Sequence, residues 1–186
     1  TICVSNVGYK TKGGHLTSPD TQTNWNGITG RIELIGYKNA HAENVMLWCD
    51  IHSKTVRVTA NITGGKSGKA VISAESFNSE KSHTPEVQSF EYTDGKLDAL
   101  YKMGNDCLLW SEHEPNLYKL RIDIDGDVSE HIIGMREFNT EGGKFTINGE
   151  KTFLRGKHDG MIFPKTAFAP TDLDEWLRVM KISKSY

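Results

Sequence analysis

Between Gly30 and Phe138 the sequence runs through one short stretch of apolar–polar alternation after another, each closed by a turn signal, with no helical spacing among them. Residues 42–51 put Val45, Leu47, Cys49 and Ile51 on one face. Residues 54–62 repeat the pattern with Val56, Val58, Ala60 and Ile62, before Gly64, Gly65 and Gly68. Ala70, Ile72 and Ala74 alternate next, and weaker strand candidates follow at 86–92 and 96–101. Tyr118, Leu120, Ile122 and Ile124 form the inward set of residues 117–124, and the run Asp125, Gly126, Asp127 turns that strand back into a hairpin with residues 128–135. Side chains repeat every second residue only in a pleated strand, so each run buries one face and wets the other. With 31–35 included there are about seven short strands, the pattern of a β-sandwich of roughly 100 residues.

The flanks read differently. Residues 1–7 predict a short strand, but the chain then passes through Gly8, Gly13, Gly14, Ser18 and Pro19 with little periodicity. A stretch of more than about 15 residues without regular structure is unusual inside a compact domain and points to an element separated from its partners. After Phe138, Gly142 and Gly143 lead to Phe145 and Ile147, then an Asn148–Gly149 turn, then Phe153 and Leu154: a hairpin running into a new strand. Thr171 and Asp174 form a Thr-x-x-Asp capping pattern ahead of Leu173, Trp176, Leu177 and Met180 on one helical face. Strand, loop and amphipathic helix together open a β/α unit, and one such unit cannot close a barrel.

Composition narrows the partners. A formal net charge of -2 on 186 residues carries no nucleic-acid bias. No apolar stretch approaches the roughly 20 residues of a membrane-spanning helix. Cys3, Cys49 and Cys107 are odd in number and lack ligand spacing, which predicts three free, mostly buried thiols. The histidines are scattered without ligand spacing, so neither metal nor cofactor is expected.

Single residues read as structure. Trp110, Pro115, Leu117 and Tyr118 mark a strand entry with aromatics in the core, Gly134, Met135 and Arg136 a strand end with a salt-bridged arginine, and Glu112 and Glu114 a solvated rim. Their order says more. Trp-Ser-x-x-x-Pro-x-Leu-Tyr from Trp110, then Gly134-Met135-Arg136, then Phe-x-Ile-Asn-Gly-x-x-x-Phe-Leu-Arg-Gly from Phe145 resembles the passage from sandwich to barrel in family 2 glycoside hydrolases of the β-galactosidase type. Thr23-Asn24-Trp25-Asn26-Gly27-Ile28 and Gly30-Arg31-Ile32-Glu33-Leu34 look like the end of that family's sugar-binding jelly roll. The resemblance covers essentially the whole chain. It implies a mainly β fold: a jelly-roll remnant over 1–36, an immunoglobulin-like β-sandwich over 37–138, and the first β/α unit of a (β/α)8 TIM barrel over 139–186, with Leu154, Arg155 and Gly156 on the first barrel strand.

The same resemblance implies a parent enzyme that cleaves a β-linked sugar with two carboxylates about 5 to 5.5 Å apart, as in retaining glycosidases. In the family both come from later barrel strands, so no catalytic residue is expected in this sequence and the chain alone is expected to be inactive. His158 and Asp159 follow the first barrel strand, where active-site loops of that fold lie, and are candidate sugar contacts. Here they stand in Lys157-His158-Asp159-Gly160, against a commoner Asn-Arg-His-Glu in the family. Asn24 and Trp25 are further candidates, with Thr23 where some members carry a sugar-binding aspartate. The expected partner is a carbohydrate substrate of the parent, for which a secreted or periplasmic location and a homo-oligomer are open expectations. A carbohydrate-binding module and a purely structural spacer are the rival readings.

Overall fold

A computed structural model describes residues 1–5, 27, 28, 30–156, 163, 165, 166 and 169–186. The chain divides into two compact units, Gly36–Leu154 and a second made of Thr1–Ile35 with Arg155–Tyr186. In the first unit the strands are β1 (His41–Asp50), β2 (Thr55–Thr63), β3 (Gly68–Ser76), β4 (Gln88–Tyr92), β5 (Lys96–Lys102), β6 (Tyr118–Ile124) and β7 (Asp127–Ile133), then β8 (Phe138–Glu141), β9 (Lys144–Ile147) and β10 (Glu150–Lys151). They form a three-stranded sheet ordered β1-β2-β5, a four-stranded sheet ordered β4-β3-β6-β7 and a small sheet ordered β10-β9-β8, every pair antiparallel.

Alternation builds the core. Val56, Val58, Ala60 and Ile62 of β2 and Leu97, Ala99 and Tyr101 of β5 form one apolar layer; Ala70, Ile72 and Ala74 of β3 and Tyr118, Leu120, Ile122 and Ile124 of β6 form the other, and all belong to a single buried cluster. Alanines lie among tyrosines and isoleucines in both layers, the mix of small and large side chains that lets facing sheets fill the space between them. The buried phenols are satisfied: Tyr101 donates to the Glu86 carbonyl at 3.1 Å, and Tyr118 accepts from the Leu108 amide at 2.8 Å. In β1 the pairing with β2 shifts between Glu43 and Met46, where Asn44 takes φ 51°. This bulge adds one residue to β1 and so keeps Ala42 in phase with Val45, Leu47 and Cys49 on the core side. Asp125 (φ 52°) and Gly126 (φ 86°) make the two-residue turn between β6 and β7.

Several expectations fail. Residues 1–5 and 31–35 form no strand and are exposed; 6 and 7 lie outside the described residues. A strand needs a ladder partner, and 31–35 has none among the described residues. The same holds for Phe153 and Leu154, expected on a new strand: Phe153 is 72% exposed. β7 stops at Ile133, two residues short of the expected Met135. The hairpin after Phe138 forms as expected, as β8, β9 and β10, and packs within the Gly36–Leu154 unit. Cys3 is exposed and Cys49 and Cys107 half-buried, so the thiols are free but not mostly buried. In the second unit, helix α1 (Leu173–Lys184) forms as expected but is capped by Asp172 rather than Thr171, the Asp172 carboxylate accepting from the Glu175 amide at 2.9 Å.

Truncating Ile122, fully buried in β6, is expected to cost about 2–5 kcal/mol in Ile122→Ala, whereas Ile132→Ala, at an exposed position of β7, is expected to stay within about 0.5 kcal/mol. Urea unfolding of both variants checks this.

Candidate functional site

His158, Asp159, Asn24 and Trp25 all lie outside the described residues. What the structure brings together instead are the three motif pieces, at the end of the two-sheet body. The Trp110 amide donates to the Met135 carbonyl at 2.9 Å. Gly134 lies so close beneath the indole that a Cβ there would stand 3.1–3.2 Å from Trp110 atoms, which is why a side chain is missing at that position. On the ring face, the Arg136 guanidinium carbon is 4.7 Å from the centroid. Arg136 was expected to hold a salt bridge; among the described residues it faces this aromatic ring, whose negative quadrupole attracts the cation.

Asn148, the turn residue between β9 and β10, closes the junction. It adopts φ 54°, a left-handed conformation that asparagine tolerates better than most residues. Its Oδ1 accepts from the Glu137 amide at 2.9 Å, its Nδ2 donates to the Trp110 carbonyl at 2.9 Å, and its own amide donates to the Glu137 carbonyl at 2.9 Å. Two more asparagines tie the loop around Trp110. Asn116 Nδ2 donates to the Leu109 carbonyl at 2.9 Å, and Asn78 bridges the Pro115 carbonyl and the Leu117 amide, both at 2.7 Å.

Chemically this junction holds a chain in place; its Glu137 carboxylate lies 3.5 Å from His52 Nε2, both side chains open to solvent. Glu112 and Glu114 are exposed, Glu112 lying 3.2 Å from His113. The nearby Cys49 thiol is pushed up to about 11 by burial, so it stays protonated and unreactive at neutral pH. His83 lies 2.8 Å from the Tyr118 hydroxyl through Nδ1, and burial holds its pKa below the usual imidazole value against the pull of Asp106. Among the described residues no group of three or more His, Cys, Asp or Glu is arranged to hold a metal ion.

The profile of the family described as Glycosyl hydrolases family 2 matches residues 40–136, which takes in β1 to β7 and the Trp110–Arg136 contact. The chain belongs to glycoside hydrolase family 2. A β-galactosidase of Leuconostoc mesenteroides is 24% identical over 190 residues, covering 91% of this chain and 18% of that protein. A β-galactosidase of Staphylococcus xylosus is 34% identical over 64 residues, covering 34% of this chain and 6% of that protein. The chain therefore spans less than a fifth of the length of these relatives. Among solved structures, Bacteroides uniformis β-glucuronidase 3 aligns with a TM-score of 0.50 at 24% identity, over 77% of this chain and 18% of its own. An uncultured Clostridium β-glucuronidase gives 0.50 at 21%, over 77% and 23%. At these identities the structural likeness speaks for the fold.

Sequence reasoning took Asn148 as a turn former and missed its clamp, because a turn preference carries no information about what the side chain reaches. It also passed over Trp48, which stands out of phase with the inward Leu47 and Cys49 on β1 and is exposed; that phase was readable. Asn148→Ala leaves the Glu137 amide and the Trp110 carbonyl without these partners and is expected to cost about 1–3 kcal/mol in urea unfolding.

Proposed function

We propose that residues 37–138 carry the immunoglobulin-like sandwich of a retaining β-glycosidase and serve as the linker between a sugar-binding domain before them and a (β/α)8 catalytic barrel after them. The observation that carries this reading is the meeting of Trp110, Gly134, Arg136 and Asn148 in one junction. Trp110 meets residues 24 to 38 positions further on only if the body and the hairpin after it are built to leave the chain in a set direction, which is what a linker domain has to do. The three-plus-four strand arrangement and the family membership support it. On this reading residues 1–36 close the jelly roll, 139–186 open the barrel, and His158, Asp159, Asn24 and Trp25 reach the sugar from the two sides.

The substrate class follows from the relatives: proteins named β-galactosidase and β-glucuronidase point to a β-linked pyranoside. Cleavage with retention needs an acid and a nucleophilic carboxylate on either side of the glycosidic bond. We assign neither to these 186 residues, since Glu112 and Glu114 are exposed carboxylates on a loop tied down by Asn78 and Asn116 and do not face one another across a shared site.

A panel of nitrophenyl β-galactoside, β-glucuronide and β-mannoside tests both parts. The chain alone is expected to release no nitrophenol, and the chain substituted for the corresponding segment of the Leuconostoc mesenteroides β-galactosidase is expected to support turnover. Release by the chain alone overturns the assignment of the carboxylates; a folded, inactive chimera overturns the linker role.

A further inference from the structure

The outward face of the three-stranded sheet carries a group of side chains that the core does not use, and its Trp48 also borders the concavity lined by Trp110, Gly134 and Arg136. Register places Trp48 of β1 beside Arg57 of β2 and Arg57 beside Leu100 of β5; in the next outward row Met46, Thr59 and Asp98 align in the same way. Trp48 is 47% exposed, and the Arg57 guanidinium carbon is 5.8 Å from its ring centroid. Arg57 Nε donates to Asp98 Oδ1 at 2.9 Å and Nη2 to Oδ2 at 2.7 Å, a two-pronged pairing that fixes the guanidinium plane.

The fold does not account for this group. Both charged side chains are more than half exposed, and ion pairs so placed add little to stability. An indole left half in water on a sheet face gives up burial that a polar residue would not need. What remains is a flat aromatic face next to unspent guanidinium N–H groups and unspent carboxylate lone pairs, all held in one orientation.

We propose that this face is a carbohydrate-binding site that takes one pyranose unit of a β-linked glycan. The C–H face of the sugar stacks on Trp48, and neighbouring equatorial hydroxyls, each able to donate and accept, bond to Arg57 and Asp98 together. A few fixed polar groups beside an apolar surface are the usual makeup of a small-molecule site. A protein partner fits less well. Stable protein interfaces bury about 800 Å² on each side, more than the partly exposed Trp48, Met46 and Leu100 can supply, and closure would bury the Arg57–Asp98 pair at a desolvation cost. A sugar covers the indole and brings its own hydroxyls to the pair. The choice of a β-linked glycan rests on the proposed function; the site itself rests on the sheet geometry.

The experiment is calorimetric titration of the 186-residue chain with β-1,4-linked tetrasaccharides of glucose, galactose, mannose and xylose. Binding of at least one, at one site per chain, is expected. Trp48→Ala is expected to weaken it about tenfold or more, Trp48→Phe to restore most of that loss by keeping an aromatic face, and Asp98→Asn to weaken it severalfold. Val128→Ala, at an exposed position on the other sheet, is expected to leave it unchanged. Urea unfolding of each variant separates loss of binding from loss of fold. No binding of any tetrasaccharide, binding indifferent to Trp48→Ala, or self-association that Trp48→Ala abolishes would each overturn the site. No turnover is measured, so failure here leaves the glycosidase reading standing, and failure of the hydrolysis panel leaves this site standing.

Discussion

Burial of one apolar layer between two antiparallel sheets is the constraint on which the rest of the structure depends. β2 and β5 contribute one wall, β3 and β6 the other, and their inward side chains are almost without exposure. Because strand side chains alternate with period two, a slip of one residue in any of these strands would turn its whole inward set to water. The bulge at Asn44 is the one place where β1 breaks step, and it does so to keep both halves of the strand on the core side. Each outward position is then fixed by default, which is how Trp48, Arg57 and Asp98 come to share a face.

The junction around Trp110 extends that rigid body beyond its last ladder. β7 ends at Ile133, but the chain does not leave there. The Met135 carbonyl takes the Trp110 amide, Gly134 lets the indole lie flat against the backbone, and Asn148 binds the hairpin turn to the Trp110 carbonyl. Three stretches are held by a backbone hydrogen bond, by the Asn148 side-chain amide and by the Trp110 indole packed against Gly134 and Arg136, so direction and volume are fixed there together. This gives a physical reason for a motif made of one tryptophan, one glycine and one asparagine.

Most of the strands were legible in the sequence because their signal is local: Val56 to Ile62 and Tyr118 to Ile124 announce one buried face each. Residues 31–35 and Phe153–Leu154 carried the same β-like composition but formed no strand, since a ladder also needs a neighbour, which a local pattern cannot report. The helix was readable from its apolar spacing, while its cap moved one residue to Asp172, because a carboxylate and a threonine hydroxyl stand side by side and only geometry decides between them. The motif residues were legible as a family likeness, yet their contact was not. Arg136 looked like an ion-pair partner, and its stacking on the Trp110 indole is a contact that only the folded chain shows.

The Trp110 junction joins two levels of the protein: it completes the two-sheet body, and it ties the hairpin after β7 to that body. Amide hydrogen exchange of the 186-residue chain tests most directly whether body and junction are one. The Trp110, Glu137 and Asn148 amides each donate to a partner in the junction. Protection within about tenfold of the β6 amides, lost together with them on adding urea, is the expected result. Exchange at the rate of open loop amides, with β6 still protected, would contradict it and leave the hairpin a separate, loosely attached element.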